Sequence, residues 1–257
     1  MTDVAKNLKT VKERIEKACL KRPPELQTYT PQLVAVTKTK PKENIIEAYK
    51  EGQLHFGENY VQEFVEKAFD EDIQKECPDI KWHFIGHLQR NKVNKLLTIP
   101  NLYCIQTVHN DKLADSLNAA LDRAIENKRR LNVCIQVNTS REEEKSGCTP
   151  EETVELVKYV VENCPNLKVI GLMTIGKYHN YDPVEGLNPD FMSLVKCRAA
   201  VCKELDIDDV NSFQLSMGMS ADFEHAIELG ATIVRVGTAI FGGRYYNKTV
   251  EQHSNVK

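Results

Sequence analysis

One lysine closes the first apolar run of the chain. Leu33-Val34-Ala35-Val36-Thr37 is rich in β-branched residues and bounded by Pro31 and Pro41, and Lys38 follows it directly. Side chains alternate along a strand, so Val34, Val36 and Lys38 share one side. If that side faces the inside of a barrel, Lys38 sits at an apolar mouth, where lost hydration lowers an ammonium pKa. A neutral amine is the form that attacks an aldehyde to give a Schiff base. The competing reading is a solvated turn, since Lys40 and Lys42 lie close by.

Two later segments have the makings of an anion site. Ser216-Met217-Gly218-Met219-Ser220 and Arg235-Val236-Gly237-Thr238 each end an apolar run. Gly218 and Gly237 let backbone N–H groups approach an anion closely. Ser216, Ser220 and Thr238 add hydroxyl donors. Ser220 also fits a helix cap, and Thr238 a turn. Arg235 shares strand parity with Gly237, so both point inward together. A buried guanidinium needs an acceptor. Either a carboxylate or the pyridine nitrogen of a cofactor would serve. Arginine is a poor proton donor, so a nitrogen facing it stays largely unprotonated, and the ring is a weak electron sink.

Positioning these residues requires a frame that brings strand ends together. The chain alternates short apolar runs with helical patterns. Runs follow at Leu54–Gly57, Lys81–Ile85, Leu102–Gln106, Asn132–Val137, Val169–Thr174, Ser212–Ser216 and Thr232–Gly237. With the first run this makes about eight βα units, the number that closes a parallel barrel. The expected fold is α/β, a single (β/α)8 TIM-type barrel over 1–257 with an extra helix at about 3–20. Function then collects at the C-terminal strand ends: Lys38, Glu58-Asn59, Gly86-His87, Asn138, Thr174 and the two segments above. Asn59 and Ser220 are expected to start helices, and Thr149-Pro150-Glu151-Glu152 another. An open doubly wound sheet fits the same alternation, but no GxGxxG follows the first strand.

Composition narrows the partners. A net charge of −3 gives no long-range attraction for nucleic acid or anionic membrane. No apolar stretch approaches the ~20 residues that span a bilayer. The eight cysteines are scattered, without the clusters of a zinc site, and read as reduced thiols in the cytosol. The basic, amphipathic first helix contains Asp3, Glu13 and Glu16, which argue against a mitochondrial presequence. His83 and His87 have helical i, i+4 spacing, but Gly86 and the preceding run argue for a strand rather than a zinc pair.

Six blocks resemble the YggS/PROSC family of pyridoxal phosphate homeostasis proteins. They are Val36–Pro41, Phe56–Glu63, Trp82–Lys92, Gly171–Gly176, Leu215–Phe223 and Val234–Gly242, in order along the chain. The resemblance implies an alanine racemase N-terminal-like barrel holding pyridoxal 5′-phosphate. By position, Lys38 would form the Schiff base, Ser216, Gly218, Ser220, Gly237 and Thr238 would hold the phosphate, and Arg235 the ring nitrogen. Asn59, His83, Met173 and Met217 would line the ring. The implied role is intracellular cofactor supply, with apoenzymes as recipients and the chain as a cytoplasmic monomer or weak dimer. Racemases of the related fold use a catalytic tyrosine from a second domain, for which Tyr178, Tyr245 and Tyr246 are the candidates here. A weak amino-acid racemase is the second reading, and a cofactor-free Schiff-base aldolase the third.

Overall fold

Eight parallel strands hydrogen-bond in chain order and close into a barrel. They are β1 (Gln32–Val36), β2 (His55–Glu58), β3 (Lys81–Phe84), β4 (Leu102–Val108), β5 (Leu131–Gln136), β6 (Leu167–Met173), β7 (Gln214–Ser216) and β8 (Ile233–Val236). Closure is made by β8 against β1, with Val34 opposite Arg235 and Ala35 opposite Val236. This excludes the open sheet. The computed structural model describes residues 2–26, 29–123, 130–177 and 186–243.

Alternation gives each strand two environments. Leu33, Ala35, Phe56, Trp82, Phe84 and Val234 belong to the apolar shell beneath the helices. Their neighbours turn into the barrel. There Cys104, Cys134 and Met173 pack together, while His83, Gln106, Ser216 and Arg235 hydrogen-bond to one another. Barrels of this type are usually filled by branched aliphatics. A polar file inside this one therefore demands a reason.

The helices are α2 (Lys42–Lys50), α3 (Val61–Ala68), α4 (Glu71–Glu76), α5 (Val93–Leu97), α6 (Asp111–Arg123), α7 (Thr153–Asn163), α8 (Pro189–Glu204), α9 (Phe223–Glu228) and α10 (Thr238–Phe241). Ahead of them, α1 (Val4–Cys19) buries the stripe Val4, Leu8, Val11 and Ile15, and Asp3 caps it by accepting from the Lys6 N–H. It lies on α9 and α10. Arg14 pairs with Glu224 at 2.6 Å, and Asn7 Nδ2 donates to the Ile240 carbonyl at 3.0 Å. The leading helix thus braces the flank that carries the last two strand-end loops.

Two expected helix starts are displaced. Helix α3 begins at Val61 behind Tyr60, so Asn59 is not its cap. Helix α9 begins at Phe223 behind Asp222, so Ser220 is not its cap either. Both residues point their polar atoms elsewhere, as described below. A third start is displaced as well: the Thr149 N–H donates to the Glu152 carboxylate at 2.8 Å and the Glu152 N–H donates back to Thr149 Oγ1 at 3.3 Å, but α7 begins only at Thr153, behind Glu152. All eight cysteines are free. Among the described residues no helix is long and apolar enough to cross a membrane.

Candidate functional site

Lys38 leaves the barrel in a turn closed by the Lys40 N–H donating to the Thr37 carbonyl at 3.0 Å. Within it, Thr39 has φ of 61°, a left-handed conformation rare for a β-branched residue. Helix α3 holds the turn from behind. The Thr39 N–H donates to Glu63 Oε1 at 2.5 Å. Lys67 Nζ donates to the Thr37 carbonyl at 2.6 Å, to Glu63 Oε1 at 2.6 Å and to Glu58 Oε1 at 2.8 Å. Thr37 Oγ1 donates to the same Glu58 oxygen at 2.7 Å. Glu58 is fully buried. Burial pushes its carboxyl up from the ordinary range, and Lys67 and Thr37 pull it back.

Lys38 itself is half-buried. Its neighbours do not make a solvated turn. Lys40 is buried and donates to the carbonyls of Phe241 and Gly242 at 3.0 Å and of Gly243 at 2.5 Å, closing the C-terminus of α10. Lys42 pairs with Asp70 at 3.0 Å and Asp72 at 2.6 Å. Three nearby lysines therefore have three different tasks.

Across the β8–β1 seam lie the two loops expected to hold an anion. Gly218 has φ of 91°, and a Cβ there would sit 2.6 Å from Ala226 Cβ, so α9 packs directly on the loop. Its carbonyl accepts from the Arg235 N–H at 3.0 Å. Ser220 Oγ accepts from the Gly237 N–H at 3.3 Å and the Ala239 N–H at 3.2 Å. An oxygen is thus already held by donors at the start of α10, the arrangement that receives phosphate oxygens at helix N-termini. A Cβ on Gly237 would lie 3.1 Å from the Val36 carbonyl, so the seam admits only glycine there without a shift. Thr238 is exposed beside it.

Arg235 points inward at 3% exposure. Its Nη1 donates to Ser216 Oγ at 2.7 Å and its Nη2 to the Thr174 carbonyl at 2.8 Å. Both acceptors are neutral. Burial lowers the guanidinium to about 10, opposed by Asp222 at longer range. Among the described residues no salt bridge to a carboxylate accounts for this buried charge. Asn59 Oδ1 is buried without a hydrogen-bond partner. So is Gln136 Oε1, in the wall of a cavity of about 220 Å³ over the ends of β3, β5 and β6 that also touches Gly86, Asn138, Lys145 and Thr174. The orphaned Asn59 oxygen, a buried guanidinium on two neutral acceptors and the N–H groups around Ser220 Oγ fit a ligand bearing a donor, a ring nitrogen and a phosphate; the cavity beside Gln136 meets this set at Thr174, whose carbonyl accepts from Arg235.

Two ring-lining expectations need correction. His83 lies deeper than the mouth: it is fully buried, and both ring nitrogens are engaged, Nδ1 with Gln106 and Nε2 with His55. Strand parity turns Met217 the opposite way from Ser216, and its side chain packs in the shell beneath the helices. Met173 does face inward, against Cys104 and Cys134. Sequence reasoning missed Gln106 and the Thr37–Glu58–Lys67 brace. A polar residue at the parity of Cys104 within the β4 run was the available signal for Gln106.

A family model described as alanine racemase, N-terminal domain, matches residues 4–245. A human protein named pyridoxal phosphate homeostasis protein is 51% identical over 241 residues, 94% of this chain and 86% of the relative. The chain belongs to the pyridoxal phosphate homeostasis protein family. Its relative of that name from Haemophilus influenzae is 41% identical, over 95% of this chain and 98% of the relative. Among solved structures, PipY of Synechococcus elongatus with pyridoxal phosphate bound is 29% identical, with a TM-score of 0.72, covering 93% of this chain and 100% of that one. An alanine racemase of Clostridium difficile, 15% identical with a TM-score of 0.65, covers 94% of this chain and is itself 58% covered. That likeness is one of fold, and the family's barrel corresponds to part of the racemase. Tyr178, Tyr245 and Tyr246, the tyrosines considered for proton transfer, lie outside the described residues.

Proposed function

We propose that this chain binds pyridoxal 5′-phosphate as a Schiff base on Lys38 and holds it for supply to apoenzymes. The observation that carries the reading is Arg235: a buried cation at the strand ends, held by two neutral acceptors, beside a cradle of neutral donors. Its relatives bear the name pyridoxal phosphate homeostasis protein, and PipY has been solved with the cofactor. Ser220, Gly218, Gly237 and Thr238 would hold the phosphate, and Arg235 would face the ring nitrogen. Ser216 would orient Arg235, and Asn59 and Met173 would lie against the ring. The cofactor supplies an aldehyde that condenses with primary amines and a ring that draws electrons from the carbon attached there.

Arg235 donates hydrogen bonds but does not give up its proton. A ring nitrogen facing it stays unprotonated, which weakens electron withdrawal and favours holding over turnover. The decisive experiment is borohydride reduction of the protein loaded with pyridoxal phosphate, read by mass and absorbance. Lys38→Ala is expected to abolish the trapped adduct with the fold intact. A retained adduct mapped to another lysine overturns the assignment. Rapid α-proton exchange on an added amino acid by the purified protein would establish the racemase reading instead.

A further inference from the structure

We propose that Gln106 is a positioning residue for the cofactor's ring nitrogen, acting through Ser216 on Arg235 and locked by the tautomer of His83; this rests on the reading of Arg235 above. The direction of these hydrogen bonds follows from a chemical asymmetry. Guanidinium nitrogens donate and never accept. Arg235 Nη1 lies 2.7 Å from Ser216 Oγ, so that oxygen accepts. The Ser216 proton then goes to Gln106 Oε1, 2.6 Å away. With its oxygen so committed, the Gln106 amide turns its Nε2 to His83 Nδ1 at 2.9 Å. A donor at that distance needs a bare Nδ1. The network therefore assigns His83 the neutral Nε2–H tautomer.

At the floor of the barrel His83 Nε2 lies 2.9 Å from His55 Nδ1, and the Gln32 amide nitrogen lies 2.8 Å from that same His55 atom and 3.3 Å from His83 Nε2, so three nitrogens meet there without one donor order. Side chains from β8, β7, β4 and β3 stand in single file above them, and from Arg235 to His83 Nδ1 every proton points from mouth to floor. Gln106, Ser216 and His83 have no exposed surface. Burial also keeps both imidazoles neutral: His83 is held well below its ordinary value, and His55 is lowered to about 4, with Lys81 acting on both in the same sense.

In so dry a setting a reversed member leaves two donors or two acceptors facing each other. From Arg235 to His83 Nδ1 the file therefore has one arrangement. It presents Arg235 in one orientation, and because both of its acceptors are neutral the guanidinium keeps its full charge for the ring. Nothing in this geometry requires the file to conduct protons. Its work is to fix direction.

The test uses the full chain loaded with pyridoxal phosphate carrying ¹⁵N in the ring, with the histidine nitrogens observed in the same spectra. In the wild type, His83 is expected to show the Nε2–H pattern with and without cofactor. Gln106→Glu keeps the size and the acceptor for Ser216 but puts a second oxygen against His83. The His83 signal is expected to change to an Nδ1-protonated form, and the ring-nitrogen resonance to move with it. Gln106→Met removes the Ser216 acceptor and is expected to move the ring resonance without protonating His83 Nδ1. Arg235→Gln is the reference arm and is expected to move the ring resonance furthest. If Arg235→Gln moves it and both Gln106 variants leave it in place, the positioning role is wrong and the Arg235 reading stands. If Arg235→Gln also leaves it in place, the Arg235 reading falls and takes this proposal with it. A wild-type His83 protonated on Nδ1 overturns the file whatever the cofactor does.

Discussion

Replacing Lys67 with methionine tests whether α3 holds the Lys38 turn through a buried ion pair. The change keeps most of the stem and removes an ammonium that donates to Thr37, Glu58 and Glu63. Glu58 has no exposed surface, and its Oε2 already lacks a partner. Without its cation the carboxylate either stays ionised in a dry site or takes a proton, and protonation sets the ceiling. Each pH unit between the ordinary value of 4.5 and pH 7 costs about 1.4 kcal/mol, so the ceiling is about 3.5 kcal/mol. That agrees with the roughly 3–5 kcal/mol lost when one partner of a buried pair is removed. At about 2–4 °C per kcal/mol, the midpoint falls by about 10 °C. The sign in pH is fixed as well. The Glu58 pKa is raised by folding, and more so in the variant, so its contribution is present at low pH and lost as pH rises past about 4.5. The gap between wild type and variant is therefore widest near pH 7 and shrinks to about 1 kcal/mol at pH 5. Urea unfolding at pH 5, 6 and 7 reads it. A gap that is constant in pH, or that survives when Glu58→Gln is added, refutes the pairing.

Three further outcomes are expected. Gly218→Ala places a Cβ 2.6 Å from Ala226 Cβ and 2.9 Å from Phe223 Cα at a φ of 91°, so the loop must shift. Stability should fall by about 2 kcal/mol, and pyridoxal phosphate binding, followed by equilibrium dialysis, should weaken about tenfold or more; wild-type affinity would dismiss the loop as a phosphate cradle. Folding lowers the pKa of both His55 and His83, so the unfolded chain takes up more protons than the folded one below about 6.5, and stability is lost as pH drops from there to about 4. His55 alone accounts for about 2 kcal/mol after allowance for its partial exposure, and His55→Gln should flatten the slope of unfolding free energy against pH over that window; an unaltered slope is the contrary result. Among the described residues Arg198 Nε and Nη1 are buried without hydrogen-bond partners, and the like charge of Arg22 offsets the pull of Asp209. Arg198→Met should raise the thermal midpoint by about 1–2 kcal/mol equivalent, and a fall would reveal an acceptor bound there.

The barrel was legible because its period is simple. Each strand is a short apolar run, each helix carries a stripe, and eight repeats leave one closed arrangement. Strand parity turned Arg235 into the barrel as read, and loop chemistry set Ser220 beside the N–H groups of Gly237 and Ala239. Local pattern failed where a residue's task depends on what lies across the barrel. His83 occupies the right strand and the right face, but depth along the axis is set by the stagger between strands, which no local pattern records. Met217 follows β7 by one residue, and one residue reverses the face. Asn59 and Ser220 carry the composition of helix caps, yet the helices start two and three residues later, which leaves their oxygens for the mouth. Lys67 carries no local signal on α3. Only the neighbouring strand end shows that it reaches Thr37 and Glu58.

The partner of a ring nitrogen sets how strongly the ring draws electrons. A nitrogen facing an acid or carboxylate carries a proton and withdraws strongly, and one facing a guanidinium withdraws weakly. On the proposed reading Arg235 would face that nitrogen, held by two neutral acceptors with Asp222 acting at longer range. At the other end the donors that would meet the phosphate are neutral, the N–H groups of Gly237 and Ala239 that surround Ser220 Oγ. Neutral donors bind phosphate through geometry, and geometry can be lost by a small movement of one loop. The Lys38 turn, by contrast, is fastened by a buried ion pair and a left-handed residue. On the proposed reading the amine is the fixed end of the site and the phosphate the releasable one. That ordering would suit a chain that passes its cofactor on: Lys38 would hold the aldehyde on a braced turn, and the loops of Gly218 and Gly237 would release the phosphate.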